Sequence, residues 1–186
     1  AIELINSHEM VSETSFVLGG PDETLESVRK NVELAKWYAP DMAFFLAITK
    51  DDERVRAGSL ELRAIPTPGH TPACMSFQIE DAVFTGDALF LDDVGVGRCD
   101  FPHGDANALY DSVSRRLFTL PPATRLFVGH DYPPGGRNWK ASTTVAEARL
   151  RNVQLTSATP REDFVTRRTA RDRSLAAPRL LYPSLQ

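Results

Sequence analysis

An α/β fold is predicted for this 186-residue chain, because short apolar runs typical of strands alternate with longer segments of helical periodicity. The run at residues 42–48 is continuously apolar, as in a strand that is buried on both faces. Residues 60–64 instead alternate apolar and charged side chains, which is typical of a strand with one face in water. Residues 107–120 place leucine and valine every three or four positions, as in a helix with one buried side.

The first fifty residues predict a βαβ unit. A strand at residues 15–18 ends at a Gly-Gly-Pro turn, and acidic residues then open a helix that continues to Pro40. The apolar strand at 42–48 follows, and a strand-helix-strand order favours parallel pairing of the two strands.

The charged residues 51–53 are predicted to link this unit to the rest of the chain. Beyond them, strands are predicted at 60–64, 75–79, 82–85 and 126–128, and helices at 107–120, 143–155 and 161–175.

Composition narrows the class of protein. Hydrophobic residues make up 42% and charged residues 25% of the chain, as in a soluble globular protein. The net charge of −4 gives no reason to expect binding to nucleic acid or to an anionic membrane. No apolar run approaches the ~18 residues of a membrane span. The sequence is therefore expected to carry neither a membrane span nor an export signal. The two cysteines, Cys74 and Cys99, do not form a disulfide framework, so the cytoplasm is the expected compartment.

Three short loops next to predicted strands carry the residues of chemical interest. They are TPGHTP at 67–72, TGDALF at 85–90 and GHDY at 129–132. Their His70, Asp87 and His130 are ligand types that zinc, iron and manganese accept. Taken singly, however, Gly-His and Gly-Asp pairs more often mark turns than metal sites.

Together with GRCDFPHGDA at 97–106 and the continuation of the last loop to Arg137, these motifs resemble the later part of a metallo-β-lactamase-fold enzyme. Within that superfamily the sequences of these motifs are most similar to those of the glyoxalase II and persulfide dioxygenase branch. The resemblance implies a partial metallo-β-lactamase-like αββα layer structure in residues 51–186, preceded by the βαβ unit of residues 1–50. The βαβ unit itself resembles a piece of a radical-SAM barrel without the cysteine triplet that holds an iron–sulfur cluster.

The same resemblance implies roles for individual residues. His70, Asp87 and His130 are expected to hold one divalent metal ion, zinc or iron, and Asp87 is also the expected catalytic carboxylate. In two-zinc hydrolases His130 would serve the second metal, whereas in single-iron dioxygenases it would be a neighbour of the site.

The expected substrate is a small thiol or thioester, such as a glutathione derivative. Arg98, Tyr132 and Arg137 are expected to line its pocket, because guanidinium groups bind carboxylates and a phenol donates a hydrogen bond.

One feature of the family is missing. These enzymes take their first metal ligands from an HxHxDH motif, which this chain lacks, and its four histidines are too few for the five of a two-zinc site. Enzyme activity is therefore predicted to be impaired. The chain would be a natural recombinant, a deliberate chimera or a truncated reading frame.

An alternative prediction is a non-catalytic hybrid that folds without metal chemistry. Half of a layered fold leaves an apolar sheet face open, and a homodimer is one way to cover it. Metal content and mass in solution discriminate between the two hypotheses.

Overall fold

The computed structural model describes residues 13–18, 42–47, 54–57 and 60–176. The chain divides into two compact units, residues 1–50 and 51–186. The assignment of each unit to a separate family of origin stays a prediction.

The described part of the first unit is a pair of strands, β1 (Glu13–Leu18) and β2 (Met42–Ala47). They pair in parallel, with Glu13 opposite Met42 and Leu18 opposite Ala47. The long connection between them permits parallel pairing, since a short turn can join only antiparallel strands. The predicted parallel pair is thus confirmed, while the helix predicted up to Pro40 lies outside the described residues.

The second unit contains a six-stranded mixed sheet whose strands lie in chain order. The strands are β3 (Arg54–Ala57), β4 (Leu60–Pro66), β5 (Met75–Ile79), β6 (Ala82–Phe84), β7 (Arg125–Phe127) and β8 (Ser142–Thr144). All neighbours pair antiparallel except β6 and β7, which are parallel. The predicted α/β class is confirmed. Strand β3, for which no strand was predicted, lies at the edge of this sheet. Charged residues are common on edge strands because they disfavour pairing of the free edge with another chain.

Helix α1 (Ala106–Asp111) begins at the N-cap Asp105, whose carboxylate accepts a hydrogen bond from the Asn107 amide. It continues as a π-helical segment, Ser112–Leu117, so the helix predicted at 107–120 is one continuous helical stretch with a wider second half. Helix α3 (Arg161–Ser174) has acids in its first turn and arginines in its last, which complements the helix dipole.

The helix predicted at 143–155 is shorter than expected, spanning only α2 (Val145–Arg151). Its start is delayed because residues 142–144 pair with β7, and Thr144 then caps the helix by accepting from the Glu147 amide. It ends early because the Asn152 carboxamide oxygen accepts hydrogen bonds from the backbone amides of Gln154 and Leu155.

The core of the second unit lies between one face of the sheet and the helices. Its most buried side chains are Val83, Ala88, Leu89, Leu109, Val113, Leu117, Leu126, Val145, Ala148, Leu155 and Phe164. Because β6, β7, α1 with its π-helical continuation, α2 and α3 all contribute to this cluster, the loops that follow β6 and β7 start from a rigid base.

Candidate metal centre and active-site cavity

Sheet topology brings the three motif loops to one edge. Strand β4 is antiparallel to β5, which is antiparallel to β6, so β4 runs in the same direction as β6 and β7. The loops after these three strands therefore leave the same edge of the sheet. They carry His70, Asp87 and His130 respectively, and the carboxyl ends of co-directional strands are a common place for a functional site.

The loop after β4 holds His70 in a fixed orientation. Its ring is mostly buried, with 14% of the side chain exposed, and it packs edge-on against Phe101 with ring centroids 4.7 Å apart. Its Nδ1 lies 2.6 Å from the backbone carbonyl oxygen of Arg98. Since a carbonyl oxygen can only accept, Nδ1 carries the hydrogen and donates it, which leaves Nε2 of the neutral ring as the free lone pair.

Two glycines permit the close packing around this loop. Gly69 has φ +142°, and a Cβ there would lie 2.4 Å from the Cβ of Leu109. A Cβ on Gly97 would lie 1.9 Å from the Asp87 carbonyl oxygen and 3.3 Å from the Cβ of His70. Any side chain at residue 97 would therefore push the histidine loop and the aspartate loop away from each other.

The loop after β6 is fixed by Thr85, which is buried. Its hydroxyl donates to the carbonyl oxygen of Leu89 at 2.7 Å, and its amide donates to the carbonyl oxygen of Phe127 in β7 at 2.9 Å. Asp87 lies inside this closed turn, so its carboxylate is positioned by the backbone on both sides.

The Asp87 carboxylate lies between two imidazoles. Its Oδ2 is 3.5 Å from Nε2 of His70, and its Oδ1 is 3.4 Å from Nε2 of His130. Each carboxylate oxygen thus faces a different ring. The structure brings the three predicted ligand residues together. They form two pairs, His70 with Asp87 and His130 with Asp87, that share the Asp87 carboxylate.

Each of these two pairs of side chains fits a divalent metal ion in the type of its atoms and in their spacing. The free lone pair on His70 and an oxygen of Asp87 are both acceptors, and two acceptors repel unless a proton or a cation lies between them. Two ligands bound to one zinc ion at about 2.1 Å each, at a tetrahedral angle, stand about 3.4 Å apart. Among the described residues, however, no group of three or more His, Cys, Asp and Glu side chains is arranged to hold a single ion.

His130 is more exposed than His70, and its described partners are the Asp87 carboxylate and two aromatic rings. Its side chain is 45% exposed and stacks on Tyr132 with ring centroids 5.6 Å apart. Phe90 lies next to both rings, with centroids 6.3 Å away. Partial burial, and secondarily the charge of Asp87, raise the pKa of the Tyr132 phenol. The hydroxyl keeps its hydrogen at neutral pH even at the ordinary value of about 10.

Both arginines predicted to bind substrate already have carboxylate partners. Arg98 lines the cavity, and its guanidinium forms a two-point ion pair with Asp100 at 2.6 and 2.5 Å. Arg137 lies outside the residues that line the cavity and bridges Asp93 and Asp131, with 2.7 and 2.8 Å bonds to Asp131. The structure therefore gives Arg137 a positioning contact that holds the His130 loop, and its predicted role toward substrate stays a prediction.

The site opens into a cavity of about 700 Å³, the size of a small-molecule pocket. Besides the predicted residues, its walls include Phe90, Val94, Phe101, Gln154, Arg168, Arg171 and Leu175. The sequence predicted a helix at 161–175 but gave its arginines no place at the site. The four-residue spacing between Arg168 and Asp172 was the signal of an ion pair.

Cys99 is not a nucleophile of this site. Burial raises the pKa of its thiol to about 12, with a further contribution from the charge of Asp172. The thiolate, which is the reactive form, is therefore negligible at neutral pH.

A family model described as the metallo-beta-lactamase superfamily matches residues 11–130. The chain belongs to this superfamily. The predicted family and fold are thereby confirmed. The match begins within the first fifty residues and so includes most of the segment that resembles a radical-SAM barrel piece, a resemblance that stays a prediction.

Named relatives fall in the branch that the motifs indicated. The chain is 46% identical over 150 residues to "Glyoxylase B2" of Dictyostelium discoideum, covering 80% of this chain and 51% of that protein. It is 39% identical over 118 residues to the human mitochondrial persulfide dioxygenase ETHE1, covering 62% of this chain and 43% of the relative. The chain spans about half the length of the curated relatives it matches.

Among solved structures, ETHE1 from Myxococcus xanthus superimposes with a TM-score of 0.65 at 29% identity, over 97% of this chain and 78% of that one.

Helices long and apolar enough to cross a bilayer are absent from the part of the chain that the structure describes.

Proposed function

We propose that the chain is a metal-dependent enzyme that acts on a small thiol compound, either as a glyoxalase II-type thioester hydrolase or as a persulfide dioxygenase. The observation that carries the proposal is the Asp87 carboxylate, which faces Nε2 of His70 and Nε2 of His130 at the wall of a substrate-sized cavity. Relatives named for both activities support it.

The residues that would hold a zinc or iron ion are His70 and Asp87, with His130 beside them. When bound, zinc would supply Lewis-acid chemistry for thioester cleavage, and iron would supply redox chemistry for persulfide oxidation. The hydrogen bond from Nδ1 of His70 to Arg98 fixes the ring tautomer that a metal ligand needs.

The protein's own side chains then orient the substrate. Phe90 and Phe101 give the cavity an apolar wall, which excludes water from the sulfur end of a thiol compound. Tyr132, still protonated, can donate a hydrogen bond at the mouth of the cavity. Arg98 shapes this wall through its ion pair with Asp100.

We further propose that turnover is slow. The HxHxDH motif is absent from the chain, and the remaining candidate ligands stand as two pairs, His70 with Asp87 and His130 with Asp87. An ion at this site would therefore be held by fewer protein ligands than in the complete family site, and more weakly.

Metal analysis of the purified full chain tests the proposal. The wild type is expected to bind nearly one zinc or iron per chain, and D87N to lose most of it. The matched control is H103N, because His103 is exposed, lies outside the three motif loops and has φ +62°, which asparagine tolerates. A metal-free wild type would contradict the proposal and favour the non-catalytic hybrid. The mass in solution, measured alongside, tests the homodimer.

Turnover of S-lactoylglutathione and glutathione persulfide separates the two activities. Rates well below the ordinary range of about 1–10³ per second are expected, and D87N should abolish them. Rates within that range would contradict the proposed impairment.

A further inference from the structure

The peptide group between Arg98 and Cys99 connects the histidine loop to helix α3. Its carbonyl oxygen, from Arg98, accepts the hydrogen of His70 Nδ1 at 2.6 Å. Its amide, from Cys99, donates to Oδ2 of Asp172 in α3 at 3.0 Å. A chain of two hydrogen bonds therefore runs from the imidazole, through one rigid and planar peptide group, to a carboxylate.

Hydrogen bonds that share a polar group in this way strengthen one another. The charge of Asp172 attracts the hydrogen of the Cys99 amide, so the Arg98 carbonyl oxygen becomes more negative and a better acceptor for His70. A metal-binding histidine commonly donates its second ring nitrogen to a carboxylate or a carbonyl oxygen, which orients the ring for coordination. Here the carboxylate acts on that ring nitrogen with a peptide group in between.

Asp172 is held in a single orientation. It is buried, with 5% exposed, and its Oδ1 accepts a hydrogen bond from Arg168 at 2.5 Å while its Oδ2 faces Cys99. The other terminal nitrogen of Arg168 donates to Gln154 at 2.6 Å and to the Val96 carbonyl oxygen at 3.4 Å. Both ends of the ion pair are thus fixed by groups outside the helix.

Stability alone does not account for this ion pair. A buried ion pair adds little net stability compared with apolar side chains of similar size. The Nε of Arg168 has no hydrogen-bond partner among the described residues, which adds to the cost of burying it. The end of α3 also grips the same segment from the other side, because the Arg98 guanidinium donates to the Ala176 carbonyl oxygen at 3.1 Å. These contacts converge on the peptide group that orients His70.

We propose that Asp172, held in place by Arg168, positions His70 through this peptide group. The carboxylate keeps the hydrogen on Nδ1 of His70 and so directs the Nε2 lone pair toward the metal site beside Asp87. The inference rests on the proposed function in treating His70 as a metal ligand. It adds two positioning residues on α3, neither of which binds the ion itself.

Two variants of the full chain separate positioning from stability. D172N removes the charge and leaves Arg168 as a buried cation without its carboxylate, so it is expected to lower the stability of the fold as well. R168M/D172L replaces the pair by apolar side chains of similar size, a change that commonly preserves stability. The matched control is D163N, because Asp163 is an exposed acid in the first turn of the same helix.

Zinc affinity, measured by competition with a chromophoric chelator, is the first readout. D172N and R168M/D172L are each expected to bind zinc about 10-fold more weakly than the wild type, as for loss of a group that orients a metal ligand. D163N should stay within about twofold. Urea denaturation shows whether R168M/D172L is as stable as the wild type. Wild-type zinc affinity in this double variant would make the pair purely structural and overturn the inference.

The hydrogen on Nδ1 of His70 gives a second readout, which needs no metal. In the nuclear magnetic resonance spectrum of the metal-free chain it is expected as a slowly exchanging downfield resonance that is absent from H70A. The resonance should move upfield and exchange faster in D172N and in R168M/D172L, because the hydrogen bond to Arg98 weakens. It should not move in D163N. An unchanged resonance in both Asp172 variants, or none in the wild type, would contradict the proposed positioning.

The two readouts distinguish this inference from the proposed function. A wild type that binds no zinc, but whose His70 resonance depends on Asp172, would support the positioning role and reject the metal-dependent enzyme. Zinc-dependent turnover, with zinc affinity and the His70 resonance unchanged in both Asp172 variants, would support the enzyme and reject the positioning role.

Discussion

The two histidines that face Asp87 are supported very differently. His70 is mostly buried, its Nδ1 is tied to a backbone carbonyl, and glycines allow the surrounding chain to pack against it. His130 is 45% exposed and is held by ring contacts with Tyr132 and Phe90. One carboxylate is therefore shared by a rigid imidazole and by a more adjustable one.

This difference in burial and hydrogen bonding gives the two histidines different roles at the site. A ring whose tautomer and orientation are fixed before binding loses little entropy when it holds an ion, as a permanent ligand requires. A ring at the exposed mouth of the cavity can instead move with the substrate. We expect the His70 side of the site to determine metal affinity and the His130 side to affect it less.

The largest effect is expected from Gly97→Ala. The added Cβ would lie 1.9 Å from the Asp87 carbonyl oxygen, so the backbone beside His70 must move. We expect a loss of more than about 3 kcal/mol in the free energy of unfolding, measured by urea denaturation, because overpacking against backbone cannot be relieved by a rotamer change.

Gly136→Ala is the matched control in the loop of His130. Gly136 has φ +72°, but nothing lies within 4 Å of the added Cβ. Only backbone strain of about 1–2 kcal/mol should appear. Equal losses for the two variants would mean that the His70 side is no more tightly packed than the His130 side.

The next largest effect is expected on the affinity for the metal ion. His70→Ala removes the ring that is oriented for coordination, and we expect no metal to be retained after gel filtration. His130→Ala should lower the affinity by at most about 10–100-fold, the range for loss of a neighbouring group. Competition titrations against a chromophoric chelator measure both constants. A greater loss in the His130 variant would reverse the assignment of the two rings.

The smallest effect is expected from Asp93→Asn, which removes one carboxylate that Arg137 uses to tether the His130 loop. Asp93 is largely exposed, so the loss in unfolding free energy at pH 7 should be below about 1 kcal/mol.

The pH dependence of this loss has a definite sign. The hydrogen bond from Arg137 lowers the pKa of Asp93. A carboxyl whose folded-state pKa is depressed stabilises the fold above its unfolded value of about 3.9, and that contribution disappears as the pH falls through the folded value. The difference between wild type and Asp93→Asn should therefore shrink below about pH 4. A difference that grows on acidification would contradict the assigned pKa direction.

Local patterns predicted much of the fold. The strand at 75–79 was predicted with its observed ends, and the helices at 107–120 and 161–175 differ from the observed ones by a few residues at their ends. These elements carry their own periodicity and caps. Strands β3 and β8 were missed because each is short and exists through pairing with a neighbour, which a local pattern does not record.

The sequence by itself determined the superfamily and the three residues that meet at the site, because His70, Asp87 and His130 each follow a recognisable strand and motif. Only the tertiary structure decided how the charged side chains are used. It pairs Arg98 and Arg137 with carboxylates and leaves Arg171 of α3 without such a partner among the described residues. The physical reason is that an ion pair depends on the distance and orientation of two side chains in space. The folded backbone sets both, whether the partners are neighbours in sequence, as Arg98 and Asp100 are, or 44 residues apart, as Arg137 and Asp93 are.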